Sequence, residues 1–314
     1  MFHDKPKIVF FGTPEFSLPI LEALIKNNFA PVLVVTQPDK KAGRKQELVP
    51  PPVKKLALAN DLPVVQPESK KELKNILEKY QPDICILVAY GMIISDDILA
   101  KPKFGFLNIH PSLLPKYRGP SPIQTVILNG EKETGVTIIE LTASVDAGPI
   151  VAQQMIEIKS AATAESLHDS LSQIGAELLV KILPDYLNGK IKPKPQNESL
   201  AAYTKIIERE DGLINWQKTA QQIDCQFRAF YPWPGVFTHL AGKRLKIANL
   251  GVLGGDFEGN LSPGAVFLGQ NNELAVRCGQ GALELKTVQL EGKKELPGQE
   301  FLRGQKDLLG QVLK

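Results

Sequence analysis

A doubly wound, mostly parallel α/β sheet followed by a small, OB-like C-terminal β-barrel is the fold class that this 314-residue sequence predicts. Three observations carry the prediction. Through roughly the first hundred residues, apolar β-branched runs alternate with stretches of helical periodicity, the pattern of βαβ units. The run Asp83 to Ala89 is almost wholly apolar, as a strand covered on both faces of a parallel sheet must be. Beyond about Lys190 the helical periodicity gives way to short alternating segments separated by Gly, Asn and Pro turns.

Taken in order, Lys7 to Phe11 is a short β-branched and aromatic run ending at Gly12, a first buried strand. Leu18, Leu21, Leu24 and Ile25 recur at helical spacing within 16–25, and Pro19 stands near the start, where its missing N–H costs little. Ala30 to Thr36 reads as a second strand, Val53 to Asn60 as a helix, Leu62 to Val65 as a strand and Ser69 to Lys79 as a helix. After the apolar strand at 83–89, Gly105 to Ile109 forms another strand, and Gln124 to Leu128 lies on a helix. Glu133 to Glu140 and Ile150 to Ile158 read as strands around a loop centred on Asp146. A long helix fills 164–190 and closes at Gly189. Pro193 and Pro195 then mark an extended linker. A helix over 219–227, the rigid turn Tyr231-Pro232-Trp233-Pro234-Gly235 and strands over 236–240, 245–250, 264–268, 273–277 and 283–290 complete the chain. The expected division is a first domain over 1–189, a linker over 190–207 and a second domain over 208–314.

Composition excludes several classes. The longest apolar stretches are far too short to cross a bilayer, and the opening residues lack the apolar core of a secretory signal. Cys85, Cys225 and Cys278 show no paired spacing, so neither a disulfide framework nor a zinc knuckle is expected, and a reducing cytoplasm is the expected setting. The net charge of +3 is small, but its distribution is uneven. Between Asp39 and Lys55 stand Lys40, Lys41, Arg44, Lys45, Lys54 and Lys55 against two acidic residues. Both a solvated surface loop and a phosphate-contacting loop fit that composition.

The first loop, Gly12-Thr13-Pro14, lacks the three-glycine spacing of a dinucleotide fingerprint. Chemistry concentrates instead at the end of the strand over 105–109. Asn108 and His110 are two residues apart, so on a strand they face the same way. Together they can polarise a carbonyl and stabilise an oxyanion, and histidine moves protons near neutral pH; a structural histidine at a strand end is the bland reading. Asp146, in Ser144-Val145-Asp146-Ala147-Gly148-Pro149, reads either as a turn residue or as the carboxylate that orients His110. No metal-ligand spacing and no nucleophile elbow accompany them.

The segment from Asn108 to Gly119, Asn-Ile-His-Pro-Ser-Leu-Leu-Pro-Lys-Tyr-Arg-Gly, resembles the signature of the 10-formyltetrahydrofolate-dependent formyltransferases. Gly12-Thr13-Pro14-Glu15-Phe16 and Thr36-Gln37-Pro38-Asp39-Lys40 are similar to the branch that formylates initiator methionyl-tRNA, and the Tyr231–Gly235 turn and the expected barrel fit that branch. The resemblance covers nearly the whole chain. It implies a Rossmann-like catalytic domain with Asn108, His110 and Asp146 as the catalytic trio and 10-formyltetrahydrofolate as formyl donor, without a metal. It also implies a folate cleft lined by Leu87, Val88, Tyr90, Gly91, Met92, Ile93, Ser112, Leu113, Leu114, Pro115 and Val145, beside Asp146. The loop over 37–52, with Lys40, Lys41, Arg44 and Lys45, would meet the tRNA acceptor end, Arg44 foremost. Arg209, Lys243, Arg244 and Lys246 would add a second tRNA surface. A single-chain cytoplasmic enzyme is expected, and the rival acceptor is a sugar-nucleotide amine.

Overall fold

The computed structural model describes residues 5–43, 46–254, 261–305 and 307–314. Contacts divide the chain into two compact units. The first holds 1–122, 133–158 and 167–204; the second holds 123–132, 159–166 and 205–314.

The first unit is built on a seven-stranded sheet. Its strands are β1 (Ile8–Gly12), β2 (Leu33–Val35), β5 (Val64–Val65), β6 (Ile84–Val88), β7 (Phe106–His110), β8 (Glu133–Glu140) and β9 (Ile150–Glu157), while β3 (Lys40–Ala42) and β4 (Glu47–Val49) pair separately as a hairpin. The sheet order is β5-β2-β1-β6-β7-β8-β9. Its first five strands run parallel, and β8 and β9 run antiparallel. Central β1 and neighbouring β2 are buried along their whole length, which is why they read as unbroken apolar runs.

Its helices are α1 (Leu18–Lys26), α2 (Pro52–Ala59), α3 (Lys70–Tyr80), α4 (Asp96–Leu99) and, for nearly its whole length, α6 (Ala164–Leu187), whereas α5 (Pro122–Leu128) falls almost wholly in the second unit. Ser69 caps α3 by accepting the Glu72 N–H, and Gln81 ends it in the left-handed region. Leu73 and Leu77 of that helix join Val9, Phe11, Leu33, Val35, Cys85 and Phe106 in one apolar cluster. Burial of each such side chain contributes about 1.5–3 kcal/mol. On α6, Gly175 permits close approach to the sheet: a β-carbon there would stand 2.9 Å from the Ile109 side chain. The Tyr186 hydroxyl donates to the Phe104 carbonyl and the Glu140 carboxylate, tying the other end of α6 to β8. No helix among the described residues is long and apolar enough to cross a membrane.

In the second unit, α7 (Ala220–Ala229) starts at Thr219, whose hydroxyl accepts the Gln222 N–H while the Gln222 side chain accepts the Thr219 N–H. The strands are β10 (Val236–Leu240), β11 (Lys243–Leu253), β12 (Val266–Leu268), β13 (Leu274–Arg277), β14 (Ala282–Leu290) and β15 (Glu295–Pro297), and α8 (Gly298–Arg303) follows. They form an antiparallel sheet in the order β10-β11-β14-β13-β12, with β15 also on β14. Long β11 pairs with both β10 and β14 and carries register shifts between Ile247 and Leu250, so the sheet curls into a half-barrel.

Several elements differ from expectation. The basic loop after β2 contains the hairpin β3–β4, and α4, β15 and α8 lie where no element was expected. Strand β11 runs from 243 to 253 rather than 245 to 250, because Lys243 and Arg244 pair with β10 at one end and Gly251, Val252 and Leu253 pair with β14 at the other.

Candidate active site

Strand β7 delivers two polar side chains into an otherwise apolar layer. Asn108 and His110 are 7% and 5% exposed, at the edge where the sheet turns from parallel to antiparallel. Buried polar groups need partners, and here the partner is Asp146 in the loop between β8 and β9. Asn108 Nδ2 donates to Asp146 Oδ1 at 3.3 Å, and His110 Nδ1 lies 3.5 Å from Asp146 Oδ2. The Gly119 N–H donates to the same Oδ2 at 2.8 Å. Amide, imidazole and carboxylate, separated by up to 38 positions in sequence, thus converge.

The imidazole orientation has chemical content. His110 Nε2 is 2.9 Å from the Tyr117 carbonyl oxygen, which can only accept, so this bond places an N–H on Nε2. Nδ1 is left facing the carboxylate. Nδ1 and Oδ2 can therefore hold or pass a proton between them.

Asp146 itself has φ +49°, in the left-handed region, which Asp tolerates better than most residues. Its loop is held from outside. The Gln196 amide Nε2 donates to the carbonyls of Asp146 (2.7 Å) and Gly148 (2.8 Å). Gln196 Oε1 in turn accepts from Arg118 Nε (3.1 Å) and Nη2 (2.8 Å). The Arg118 side chain is 1% exposed, and both oxygens of Glu198 accept from it, at 2.9 and 2.7 Å. The Glu198 hydrogen bonds hold the guanidinium above its already high range, and Arg118 holds the Glu198 carboxyl below its own.

Next to this trio runs the segment after β6, since Leu87 pairs with Asn108 across the sheet. Val88 and Tyr90 are buried, whereas Gly91 is exposed with φ +89° and Ile93 is 74% exposed. Leu87 and Met92 are half-buried, and Val145 is 61% exposed. Burial, then the Glu72 charge, pushes the Tyr90 hydroxyl up to about 12, and that hydroxyl has no hydrogen-bond partner among the described residues. Thr13 explains why the Gly12-Thr13-Pro14 and Thr36-Gln37-Pro38 motifs belong together. Its hydroxyl donates to the Tyr90 carbonyl (2.9 Å) and accepts the Gln37 N–H (3.4 Å).

The loop 112–115 is spent largely on packing. Ser112 and Leu114 are buried, and Pro115 and Leu113 are half-buried. The Ser112 hydroxyl donates to the Lys116 carbonyl, and the Leu114 N–H donates to Thr137 Oγ1.

Of the basic residues, Lys40 and Lys41 are exposed on β3. Arg44 and Lys45 lie outside the described residues. At the hairpin root, Lys54 Nζ donates to both Asp39 oxygens (2.8 and 2.9 Å) and to Gln66 Oε1 (2.7 Å). Those bonds from Lys54, then Gln66, lower the Asp39 pKa below its usual value. In the second unit Arg209 and Lys243 are exposed, Lys246 pairs with Glu295 at 3.3 Å, and the Arg244 guanidinium lies 3.6 Å from the centre of the Phe237 ring. Among the described residues no cluster of His, Cys, Asp and Glu is arranged to hold a metal ion.

Sequence reasoning did not single out Arg118, Gln196, Glu198 or the Gly119 N–H. Arg118 and Gly119 stand inside the quoted motif, and Gln196 stands in a stretch that composition marks only as a linker.

Known proteins resemble the chain over both of its domains. A family model described as "Formyl transferase" matches residues 6–183, and one described as "Formyl transferase, C-terminal domain" matches 206–306. The chain is similar to a methionyl-tRNA formyltransferase of Geobacter sulfurreducens, 42% identical over 300 residues, covering 95% of this chain and 93% of that protein. A methionyl-tRNA formyltransferase of Chloroflexus aurantiacus is 44% identical over 302 residues, covering 95% and 96%. Among solved structures, an N-formyltransferase from Helicobacter canadensis, in complex with folinic acid and dTDP-3-aminofucose, superposes with a TM-score of 0.67 at 23% identity, covering 89% of this chain and 98% of that one. HypX from Aquifex aeolicus in complex with tetrahydrofolic acid gives 0.64 at 20% identity; 95% of this chain is covered, but it spans about half of that protein, 47%. At these identities the two structures speak for the fold alone.

Proposed function

This chain belongs to the formyl transferase family through both of its domains, and on that premise we propose that it formylates initiator methionyl-tRNA, taking the formyl group from 10-formyltetrahydrofolate. The observation that carries the proposal is the convergence of Asn108, His110 and Asp146 in a chain so similar, over nearly its full length, to methionyl-tRNA formyltransferases.

The α-amino group of the esterified methionine attacks the formyl carbon. A new C–N bond forms while the carbonyl π pair moves onto oxygen. Asn108, through its second amide N–H, and a protonated His110, through its positive charge, stabilise that oxyanion, and such preorganised groups act best in a site shielded from water. Collapse returns the pair to the carbonyl and breaks the bond from carbon to N10 of the folate. The proton shed by the amine passes by way of the His110–Asp146 pair to the departing N10. An α-amino group with a pKa of about 8 is partly neutral at physiological pH, so the nucleophile needs little activation, and positioning does much of the work.

The residues at the C-terminal ends of the parallel strands fit a folate. Exposed Ile93 and Val145, with half-buried Leu87 and Met92, offer apolar surface to a flat ring, while Tyr90 packs behind them in the core. Backbone at Gly91 and the 112–115 loop, with Val88 behind it, shape the walls. The β3–β4 hairpin, with exposed Lys40 and Lys41 on β3, meets the acceptor end of the tRNA, as do Arg44 and Lys45 of the same basic stretch; Arg209, Lys243, Arg244 and Lys246 supply positive charge on the second unit. Translation initiation puts the enzyme in the cytoplasm, acting as a single chain.

A direct assay decides the acceptor. The protein is incubated with 10-formyltetrahydrofolate and, separately, charged initiator tRNA, charged elongator methionine tRNA or a sugar-nucleotide amine. Formyl transfer to initiator methionyl-tRNA is expected, with strong preference over the elongator. Transfer to the sugar amine instead would assign the chain to the other branch.

A further inference from the structure

The segment over 190–204 reads as a spacer, yet it reaches the back of the candidate active site. Three of its side chains, Gln196, Glu198 and Tyr203, surround Arg118. All five N–H groups of that guanidinium are used: Nε and one Nη2 proton on Gln196, one proton each from Nη1 and Nη2 on Glu198, and the last on the Tyr203 hydroxyl at 3.1 Å. A buried cation with every donor engaged is a rigid anchor. It leaves the Gln196 amide one orientation, because Oε1 must face Arg118. The two N–H groups of Nε2 then point the other way, and both are taken by carbonyls of the catalytic loop, those of Asp146 and Gly148.

We propose that Gln196 is a positioning residue for formyl transfer, its amide holding the Asp146 loop in the left-handed turn that presents the carboxylate to His110, with Arg118 fixing which way the amide points. The inference rests on the formyl-transfer reading. Asp146 is tied through its side chain to Asn108, His110 and the Gly119 N–H, and the Ala147 N–H closes a turn on the Ser144 carbonyl, whereas Gln196 grips the backbone carbonyls of Asp146 and Gly148. Gly148 adds a second constraint, since a β-carbon there would lie 1.7 Å from the Glu140 carbonyl oxygen. The loop is therefore trapped between β8 and the Gln196 amide.

Replacing the amide by a carboxylate separates positioning from packing. Gln196→Glu keeps the length and keeps an acceptor for Arg118, but turns both donors into acceptors facing two carbonyls. Near neutral pH this variant should lose roughly tenfold to a hundredfold in kcat, with KM for tRNA and folate within about twofold of the parent. As pH falls and the introduced carboxyl gains a proton, its O–H can donate to one carbonyl again. The activity of Gln196→Glu relative to the parent should then rise. Gln196→Met, which has neither donor nor acceptor, should lose kcat without that recovery. Parental kcat in both variants would overturn the proposal. So would a loss that is the same at every pH for both variants and tracks a fall in Tm.

One readout does not need turnover. In the protein without substrates, the ring-nitrogen NMR resonances of His110 should move in both variants, because its carboxylate neighbour shifts; unchanged resonances would also sink the idea. If the parent chain formylates no methionyl-tRNA while these resonances still move, it is the functional reading that fails, and the coupling of Gln196 to the Asp146 loop stands.

Discussion

On the proposed mechanism Asn108 and His110 serve one oxygen in different ways, and substitution should separate them. Asn108→Ala removes a fixed donor, so kcat should fall about 10²–10³-fold with KM for tRNA almost unchanged, as single-turnover formylation would measure. A rise in KM with kcat intact would instead make Asn108 a binding residue. His110→Ala removes both a nearby positive charge and the proton carrier; turnover should drop by about 10²–10⁴-fold while tRNA affinity in a filter-binding assay barely changes. These two residues were legible in the sequence because a strand repeats every two positions, so their shared face follows from their spacing alone. Asp146 was legible as a turn residue with a carboxylate. Gln196 was not: it is 50 positions from Asp146 and acts through its amide on backbone, which leaves no trace in spacing or charge.

Elements show the same division between what periodicity reveals and what only folding does. Strands β1 and β6 and helices α1 and α3 announce themselves through long apolar patterns. The β3–β4 hairpin is hidden because its strands are only three residues long, with Lys40 and Lys41 exposed on β3 and Glu47, Leu48 and Val49 exposed on β4, so no apolar alternation betrays them. Its root is fixed by Lys54, Asp39 and Gln66, and that fixing is pH-dependent. The Asp39 pKa is lowered in the folded chain, so its contribution is complete above the ordinary value of 3.8 and is lost as pH falls through the lower, folded value. Hydrogen-exchange protection over 39–43 and 46–49, measured against the intrinsic exchange rate at each pH, should therefore fall in acid. In Lys54→Met the same amides should exchange faster already at neutral pH, and tRNA affinity should weaken severalfold with kcat retained. Unaltered exchange in that variant would mean that the hairpin is held elsewhere. Gly148→Ala makes the complementary point for the catalytic loop. Its new methyl would collide with the Glu140 carbonyl, and a loss of about 1–3 kcal/mol in urea denaturation is expected.

At the scale of the whole molecule, sequence and contacts divide the chain differently. Composition suggests one cut in the proline-bearing stretch near residue 200, whereas contacts assign 123–132 and 159–166 to the second unit and 190–204 to the first. The reason is local. Arg228 on α7 donates to the Ala162 carbonyl at 3.1 Å, and a β-carbon at Gly130 would lie 3.8 Å from Cys225 Sγ, so both early segments pack against residues far along the chain. A chain cut after Thr204 strips those segments of their partners. It should melt several degrees lower than the full chain and aggregate on heating, as scanning calorimetry and light scattering would record; an unchanged melting temperature would restore the simpler division. The clasp around Arg118 carries one more consequence, for anyone who engineers this protein. A stretch rich in proline and polar side chains invites the splicing-in of an affinity tag, a cleavage sequence or a fluorescent reporter. Between residues 196 and 203 such an insertion would prise apart the guanidinium's five-fold grip, so cargo belongs elsewhere along the chain.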